Sequence, residues 1–397
     1  MKACMAKSDP QSRRQTRGFI LEQLLRRKGA FRPELAAGTS LSDVSVWRIV
    51  SELRHEGLVT ESRRRAPYVG GPSSFFTLST HHCVVGVELS NGRLSVGIGQ
   101  IDGALLQAWR REIPADLGQD GLEAMCGRLL HEALTEARRR SLVPVQAAIA
   151  LPGYGGAAHR RNRIFPWDLP RLRAFLSACA PPLAFEITNS VIAQAAYDRY
   201  VTGVGPAVEQ DHLFVFVGHG VAAAIVSAAG ALDAFAPVEM GHTIVQRGGA
   251  RCRCGHEGCL EAYTSLQAVA GIVGQAEASV LELGDAWLEG LELGPRVQAQ
   301  LRDRLTLLGL GIGNALNLHG LRAVVVAGWP SLLGPEERAA VAHGIDESFF
   351  GGLMDDVSLD FRRPGTGGDP AASVAFAAWA FARRGGMDSP EAAALAA

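Results

Sequence analysis

Residues Glu239–Tyr263 read EMGHTIVQRGGARCRCGHEGCLEAY. The stretch sets His242, Cys252, Cys254 and Cys259 in the spacing H-x9-C-x-C-x4-C. A structural zinc ion closes its tetrahedron with four nitrogen and sulfur ligands, and one histidine with three cysteines is such a set. Gly248, Gly249, Gly255 and Gly258 let so short a loop turn its ligands inward. A disulfide or incidental cysteines are the alternatives. The remaining cysteines, Cys4, Cys83, Cys126 and Cys179, stand singly along the chain. That usage suits a reducing cytoplasm better than a disulfide framework. One Zn2+ per chain, held by loop 242–259, is the expectation.

Outside the loop, the 397 residues are 47% hydrophobic, enough for two or three sizeable cores. There is no run of about 18 apolar residues, so no membrane span is expected. The opening MKACMAKSDPQSRRQTRG is polar and has no apolar signal core, which again points to the cytoplasm. The net charge of −1 is unevenly spread: residues 1–80 hold 14 Lys+Arg and 7 Asp+Glu, giving +7, and the remainder therefore carries −8. A basic head on an acidic body is the layout expected when only the head meets a polyanion.

The head has a pattern to match. In TRGFILEQLLRRKGA, Phe19, Ile20, Leu24 and Leu25 recur at helical spacing before Gly29. FRPELAAGT reads as a short second helix with Pro33 in its first turn. LSDVSVWRIVSELRHEGLV reads as a third, capped by Ser42, with Val46, Ile49, Val50 and Leu53 facing inward and Gly57 at its end. LVTES and RRRAPYVGGPSSFFTLS then read as two strands around a basic turn. Three helices and a hairpin in this order make a winged helix-turn-helix. Its third helix would offer Ser42, Ser45, Trp47 and Arg48 to the major groove of double-stranded DNA, and Arg63, Arg64 and Arg65 on the wing would meet phosphates or the minor groove. A merely solvated basic face is the bland alternative.

Glu239-x-Gly241-His242 followed by Cys252-x-Cys254-Gly255-x-x-Gly258-Cys259-Leu260-Glu261 resembles the signature of the ROK family of repressors, open reading frames and sugar kinases. The resemblance extends over essentially the whole chain. It implies an α/β architecture in which the winged helix-turn-helix (1–80) precedes a two-lobed actin/sugar-kinase-like, ribonuclease H-like body. The first lobe is expected at 81–200. The second, with the zinc loop, is expected at 201–397, its C-terminal helix returning to the first lobe. It further implies that Asn189, Glu239, His242 and Glu261 surround the hydroxyls of a sugar or sugar derivative, with Pro152, Gly153 and Trp167 walling the pocket. Glu239 and Glu261 could instead only brace the zinc loop, and Trp167 could be core.

Against the family's kinases the chain departs at each phosphate element. The first hairpin reads Glu88-Leu89-Ser90-Asn91-Gly92, the second-lobe turn Gly218-His219-Gly220-Val221-Ala222, and the glycine run near the adenine end Ala327-Gly328-Trp329. Where the kinases carry Asn-Asp, the gap-free match is Thr188-Asn189, and an amide has no basic lone pair to take a hydroxyl proton. The expected function is a dimeric or higher-order DNA-binding regulator, a repressor of sugar-metabolism genes, with a catalytically dead body that binds an effector. The alternatives are an active sugar kinase with an appended DNA domain, and a zinc-stapled regulator that senses a protein.

Overall fold

The computed structural model describes residues 10–37, 42–66, 72–90, 92–153, 167–203, 210–228, 234–275, 293–350, 356–363 and 370–387. Helix α1 (Pro10–Arg27) starts earlier than the apolar pattern requires, because proline fits the first turn without losing a hydrogen bond. It buries Ile20, Leu21, Leu24 and Leu25. The chain leaves the helix through two left-handed residues, Lys28 (φ 57°) and Gly29 (φ 130°). After α2 (Arg32–Ala37) comes α3 (Asp43–His55), whose buried residues are the expected Val46, Ile49, Val50 and Leu53.

The wing is larger than a hairpin. Strands β2 (Val59–Arg65) and β3 (Pro72–Leu78) pair antiparallel, and the two-residue β1 (Ala30–Phe31) adds to the far edge of β3. Arg63, Arg64 and Arg65 therefore lie within a strand and not in the turn, which corrects the expectation: their side chains alternate between two faces. The turn itself, 67–71, lies outside the described residues, as does the helix-turn-helix connection 38–41.

The body contains one architecture twice. The first sheet runs β6-β5-β4-β7-β8 from β4 (His82–Ser90), β5 (Arg93–Gln100), β6 (Leu105–Glu112), β7 (Val143–Leu151) and β8 (Phe185–Asn189). The second runs β11-β10-β9-β12-β13 from β9 (His212–Val217), β10 (Val221–Val226), β11 (Phe235–Val238), β12 (Ala323–Gly328) and β13 (Ser358–Arg362). In both, the first three strands are antiparallel and the last two parallel, the ribonuclease H-like order. Apolar strands with both faces covered account for the near-continuous burial of β4, β7 and β12. Helices α4 (Gln119–Arg139) and α5 (Leu169–Cys179) cover the first sheet. Helix α6 (Ser190–Tyr197) crosses between lobes, burying Val191 and Ala195 against Phe214 and Ala224 of the second sheet. Helices α7 (Glu261–Thr264), α8 (Leu266–Ala270), α9 (Pro295–His319) and α10 (Pro335–Ser348) belong to the second lobe.

The last described helix, α11 (Ala371–Arg383), returns to the first sheet and is buried from Ala371 to Ala382. A Cβ on Gly86 of β4 would lie 2.6 Å from Val374 N, so helix and sheet meet backbone to backbone. The head rests on the opposite side of the same helix: a Cβ on Gly18 of α1 would lie 2.6 Å from Arg383 O. Arg14 Nε donates to Arg384 O at 2.8 Å, and Arg17 Nε donates to Gly385 O at 2.9 Å. One hydrophobic core consequently runs from Leu24 and Leu53 in the head through Phe381 and Trp379 to Val84 and Ala148.

A polar knot sits inside that core. Tyr200 OH donates to Glu22 Oε1 at 3.2 Å, and Arg199 Nη2 lies 3.9 Å from the same oxygen. Arg199 Nη1 donates to Ser227 O in the second lobe. Burial pushes the Glu22 carboxyl above the usual carboxylate range, outweighing the opposing pull of Arg199. Such a buried arrangement adds little stability but fixes register, because any displacement leaves a charge unpaired. Tyr200, Phe235 of β11 and Trp379 of α11 stack beside it, with ring centroids 6.5 and 5.0 Å apart. Among the described residues no helix is long and apolar enough to cross a membrane.

The α1–α11 contact can be tested directly. Gly18→Ala gains roughly 1 kcal/mol in helix propensity, yet it forces two backbones apart at a cost of about 1–3 kcal/mol. Net destabilisation in urea melts and faster proteolysis between head and body are expected; an equal or higher midpoint would show that this contact does not seat the head.

Candidate functional site

The metal-ligand set assembles as the spacing predicts. The donor atoms of His242, Cys252, Cys254 and Cys259 all lie within 4.8 Å of one another. Cys252 Sγ is 3.7 Å from His242 Nδ1, and Cys254 Sγ is 3.7 Å from Cys259 Sγ. A tetrahedron with zinc–sulfur bonds of about 2.3 Å has edges of about 3.8 Å. The residues present therefore fit the ion. His256 approaches Cys254 Sγ at 3.6 Å but falls outside the set of four. The His256 backbone N–H lowers the Cys254 thiol to about 6, whereas burial pushes Cys259 up to about 12.

The loop's own backbone brings the ligands together. Val245 N donates to Gly258 O at 2.9 Å, Gly258 N to Ala250 O at 2.8 Å, and Cys252 N to His256 O at 2.8 Å. Gly258 has φ 82°, and a Cβ there would fall on the Gln246 carbonyl oxygen, so this position admits no side chain. Tyr263 OH accepts from Ala250 N at 2.6 Å and closes the loop onto α7.

Three bonds join the loop and its following helices to the β9–β10 turn. Glu261 Oε2 accepts from Val221 N at 3.0 Å, Arg253 Nη2 donates to His219 O at 3.2 Å, and Leu266 N donates to Gly218 O at 2.8 Å. Gly218 N is taken by Gly220 O at 2.9 Å. Two amides of the phosphate-type turn are thus satisfied within the protein, one of them by a carboxylate. His219 lies between β9 and β10 with Nδ1 buried and unpartnered, and burial, with Arg253 and Arg93 nearby, holds its ring down to about 4. It is neutral at pH 7. Gly328, at φ 94°, lies against Val217, and Trp329 is wholly buried with Nε1 donating to Thr264 O at 2.9 Å.

Of the expected effector residues, Glu239, His242 and Glu261 sit on one second-lobe segment. Glu239 is exposed, and its carbonyl accepts from His242 N at 3.1 Å. Asn189 ends β8 in the first lobe. Its side chain is turned along the chain, Oδ1 accepting from Val191 N at 3.0 Å as the cap of α6. The neighbouring Ser190 was not anticipated: its Oγ is buried and has no hydrogen-bond partner. The sequence signal for it was the strand-to-helix junction itself, since Ser190 is the first residue of α6. Pro152 and Gly153 follow β7, and 154–166 lie outside the described residues. Trp167 packs against the first-sheet core with Leu169 and Leu172, the structural alternative weighed for it.

The residues expected to face DNA are also sorted by the fold. Ser42 caps α3, with Ser45 N on its Oγ at 3.4 Å, and the two hydroxyls lie 3.1 Å apart. Arg48 is exposed. Trp47 is not: its ring lies 6.0 Å from Phe76 of the wing, and the Arg32 guanidinium stacks on it at 5.0 Å. The half-buried indole lies between the helix and the wing. Arg64 is stacked on Phe75 at 4.2 Å.

Known proteins share this fold. A protein named as a xylose repressor from Caldicellulosiruptor sp. (strain Rt8B.4) is 24% identical over 340 residues, covering 80% of this chain and 83% of its own. The structure of a ROK family transcriptional regulator, a homologue of the E. coli MLC protein, superposes with TM-score 0.73 at 19% identity, over 94% of this chain and 97% of that one. A ROK family glucokinase from Streptomyces griseus, in complex with glucose and AMPPNP, superposes with TM-score 0.55 at 21% identity, over 75% of this chain and 98% of its own. The ROK family model matches residues 84–334, well over half of the chain. This protein is a member of the ROK family.

Proposed function

We propose that the protein is a transcriptional regulator, most simply a repressor of sugar uptake or metabolism genes in the cytoplasm. In this reading residues 1–80 bind a double-stranded DNA operator, and the lobes at 81–200 and 201–397 bind a sugar or sugar derivative without phosphorylating it. The observation that carries it is a basic head of three helices and paired strands, seated by a continuous core on the kinase-like body. The matched kinase spans about three quarters of this chain, whereas the matched regulator spans nearly all of it. A homodimer or higher oligomer would present two heads to a roughly palindromic site.

In the body, Glu261 already holds Val221 N, and a nucleotide phosphate would have to displace that like charge. Neither Asn189 nor Ser190 is a base at neutral pH. Glu239, His242, Asn189 and Glu261 would face the effector hydroxyls, with Glu261 also bracing the turn. Ligand closure of the lobes would reach the head through the Arg199 knot, since its guanidinium bonds the second lobe at Ser227 and its neighbour Tyr200 bonds Glu22 of α1. A switch of this kind needs the ligand to bind the two head positions with different affinity.

One Zn2+ per chain would be held by His242, Cys252, Cys254 and Cys259. The ion would supply only folding free energy, with no open coordination position. Emission spectrometry of the purified protein should find stoichiometric zinc. Cys254→Ala should lose it together with several kcal/mol of stability; a variant that keeps metal and melting temperature would remove zinc from the account.

For the DNA reading, fluorescence anisotropy with the gene's own upstream region is expected to show specific binding. Its affinity should fall by about 10³-fold or more between 50 and 200 mM salt if six or more phosphates are contacted. Salt-independent binding, or none at any genomic site, argues against it. Calorimetry against hexoses, pentoses, amino sugars and sugar phosphates should identify a ligand that releases the DNA, and Tyr200→Phe should bind it but uncouple release. A blank sugar panel would favour a protein effector. Sugar-dependent ATP turnover at roughly 1 s⁻¹ or faster would restore the kinase alternative.

A further inference from the structure

Among the described residues, one apolar side chain of α3 stands mostly in solvent. The inner face of the helix is filled by Val46, Ile49, Val50 and Leu53. Trp47 is committed to Phe76 and Arg32, and Ser42 and Ser45 bond one another at the cap. Val44, in the first turn, is 75% exposed. It and Arg48 stand four residues apart, which puts both on one outward face of the helix. A β-branched residue in an exposed helical turn contributes nothing to helix propensity and leaves its methyls in water. An isolated exposed valine is ordinary on a protein surface. This one sits at the N-terminal end of the helix whose outer face carries Arg48, beside a strand with three exposed arginines.

Resting on the DNA-binding reading above, we propose that Val44 is a base-reading residue. Its methyl groups pack on the C5-methyl of a thymine in the major groove, with Arg48 addressing the adjoining guanine edge or phosphate. Thymine's methyl is the one apolar group that any base pair displays in that groove, so it is the feature an exposed valine can distinguish. The dimensions agree. Residues i and i+4 are separated by about 6 Å along a helix axis, and base pairs by about 3.4 Å. Val44 and Arg48 therefore address positions one or two base pairs apart. The hydroxyl pair at the cap lies at the same end and is free to add a polar contact through its remaining lone pairs.

The test uses the full chain and a duplex that it selects from a randomised pool. Each dT of the selected duplex is replaced singly by dU, which removes the methyl and nothing else. One replacement in each half-site should weaken wild-type binding by roughly fourfold, the value of burying one methyl group. The same replacement should leave Val44→Ala binding unchanged. Because Val44 is 75% exposed, Val44→Ala should keep the wild-type circular dichroism and melting temperature. Val44→Thr, which keeps the shape but exchanges one methyl for a hydroxyl, should show an intermediate sensitivity. Wild-type binding indifferent to every dT→dU exchange, or Val44→Ala retaining the full wild-type sensitivity, overturns the proposal while leaving DNA binding intact. Failure of the pool to enrich any duplex overturns both the proposal and the reading on which it rests.

Discussion

Helix α11 is the constraint on which the arrangement of the molecule depends. It is buried along its whole length and arrives from the far end of the chain. On one side Gly86 lets β4 approach its backbone, and on the other Gly18 lets α1 do the same. A helix that is apolar all round has to be enclosed on every side. Here the first sheet alone does not enclose it, and the head supplies the missing wall. The head is thus part of the body's core packing and not a bead on a flexible linker. Its orientation is set by the same side chains, Phe381 and Trp379 among them, that hold the first lobe together.

Inside that rigid contact the Glu22–Arg199–Tyr200 knot is of a different kind. Desolvation works against every charged member of it, and Glu22 responds with a raised carboxyl pKa. What the knot supplies is a joint with few acceptable positions. Head, interlobe segment and second lobe each contribute one partner: Glu22, Arg199 with Tyr200, and Ser227. An apolar seam tolerates small slides, whereas a buried ion pair does not.

The metal loop shows a comparable economy. Its four ligands converge through the loop's own backbone bonds, and its flanking residues Arg253 and Glu261 reach over to the β9–β10 turn. Ligand set and turn are therefore one mechanical unit. The carboxylate of Glu261 bonds the amide of Val221 in that turn.

Much of this was legible in the sequence. The H-x9-C-x-C-x4-C spacing fixed the metal set, because a short loop with four soft donors has one compact way to satisfy them. The 3.6-residue period of Val46, Ile49, Val50 and Leu53, with Ser42 at the cap, located the third helix and its inner face. The class of the body was implied by the family resemblance carried by residues 239–261. The use of each exposed-looking residue was not legible. Periodicity places Trp47 on the helix's outer half, but only the approach of Phe76 and Arg32 makes it a brace, and Val44 becomes conspicuous only once its neighbours are accounted for. A run of three arginines reads as a turn by composition, yet pairing with β3 makes it a strand. Asn189 looked like a site residue by position, and the helix that starts after it claims its oxygen. Local pattern determined elements and the ligand set, since those depend on spacing along the chain. Partners 178 and 370 residues apart, Glu22 with Tyr200 and Arg14 with Arg384, were decided by tertiary packing alone, because desolvation and close approach act between surfaces that the linear order does not place together.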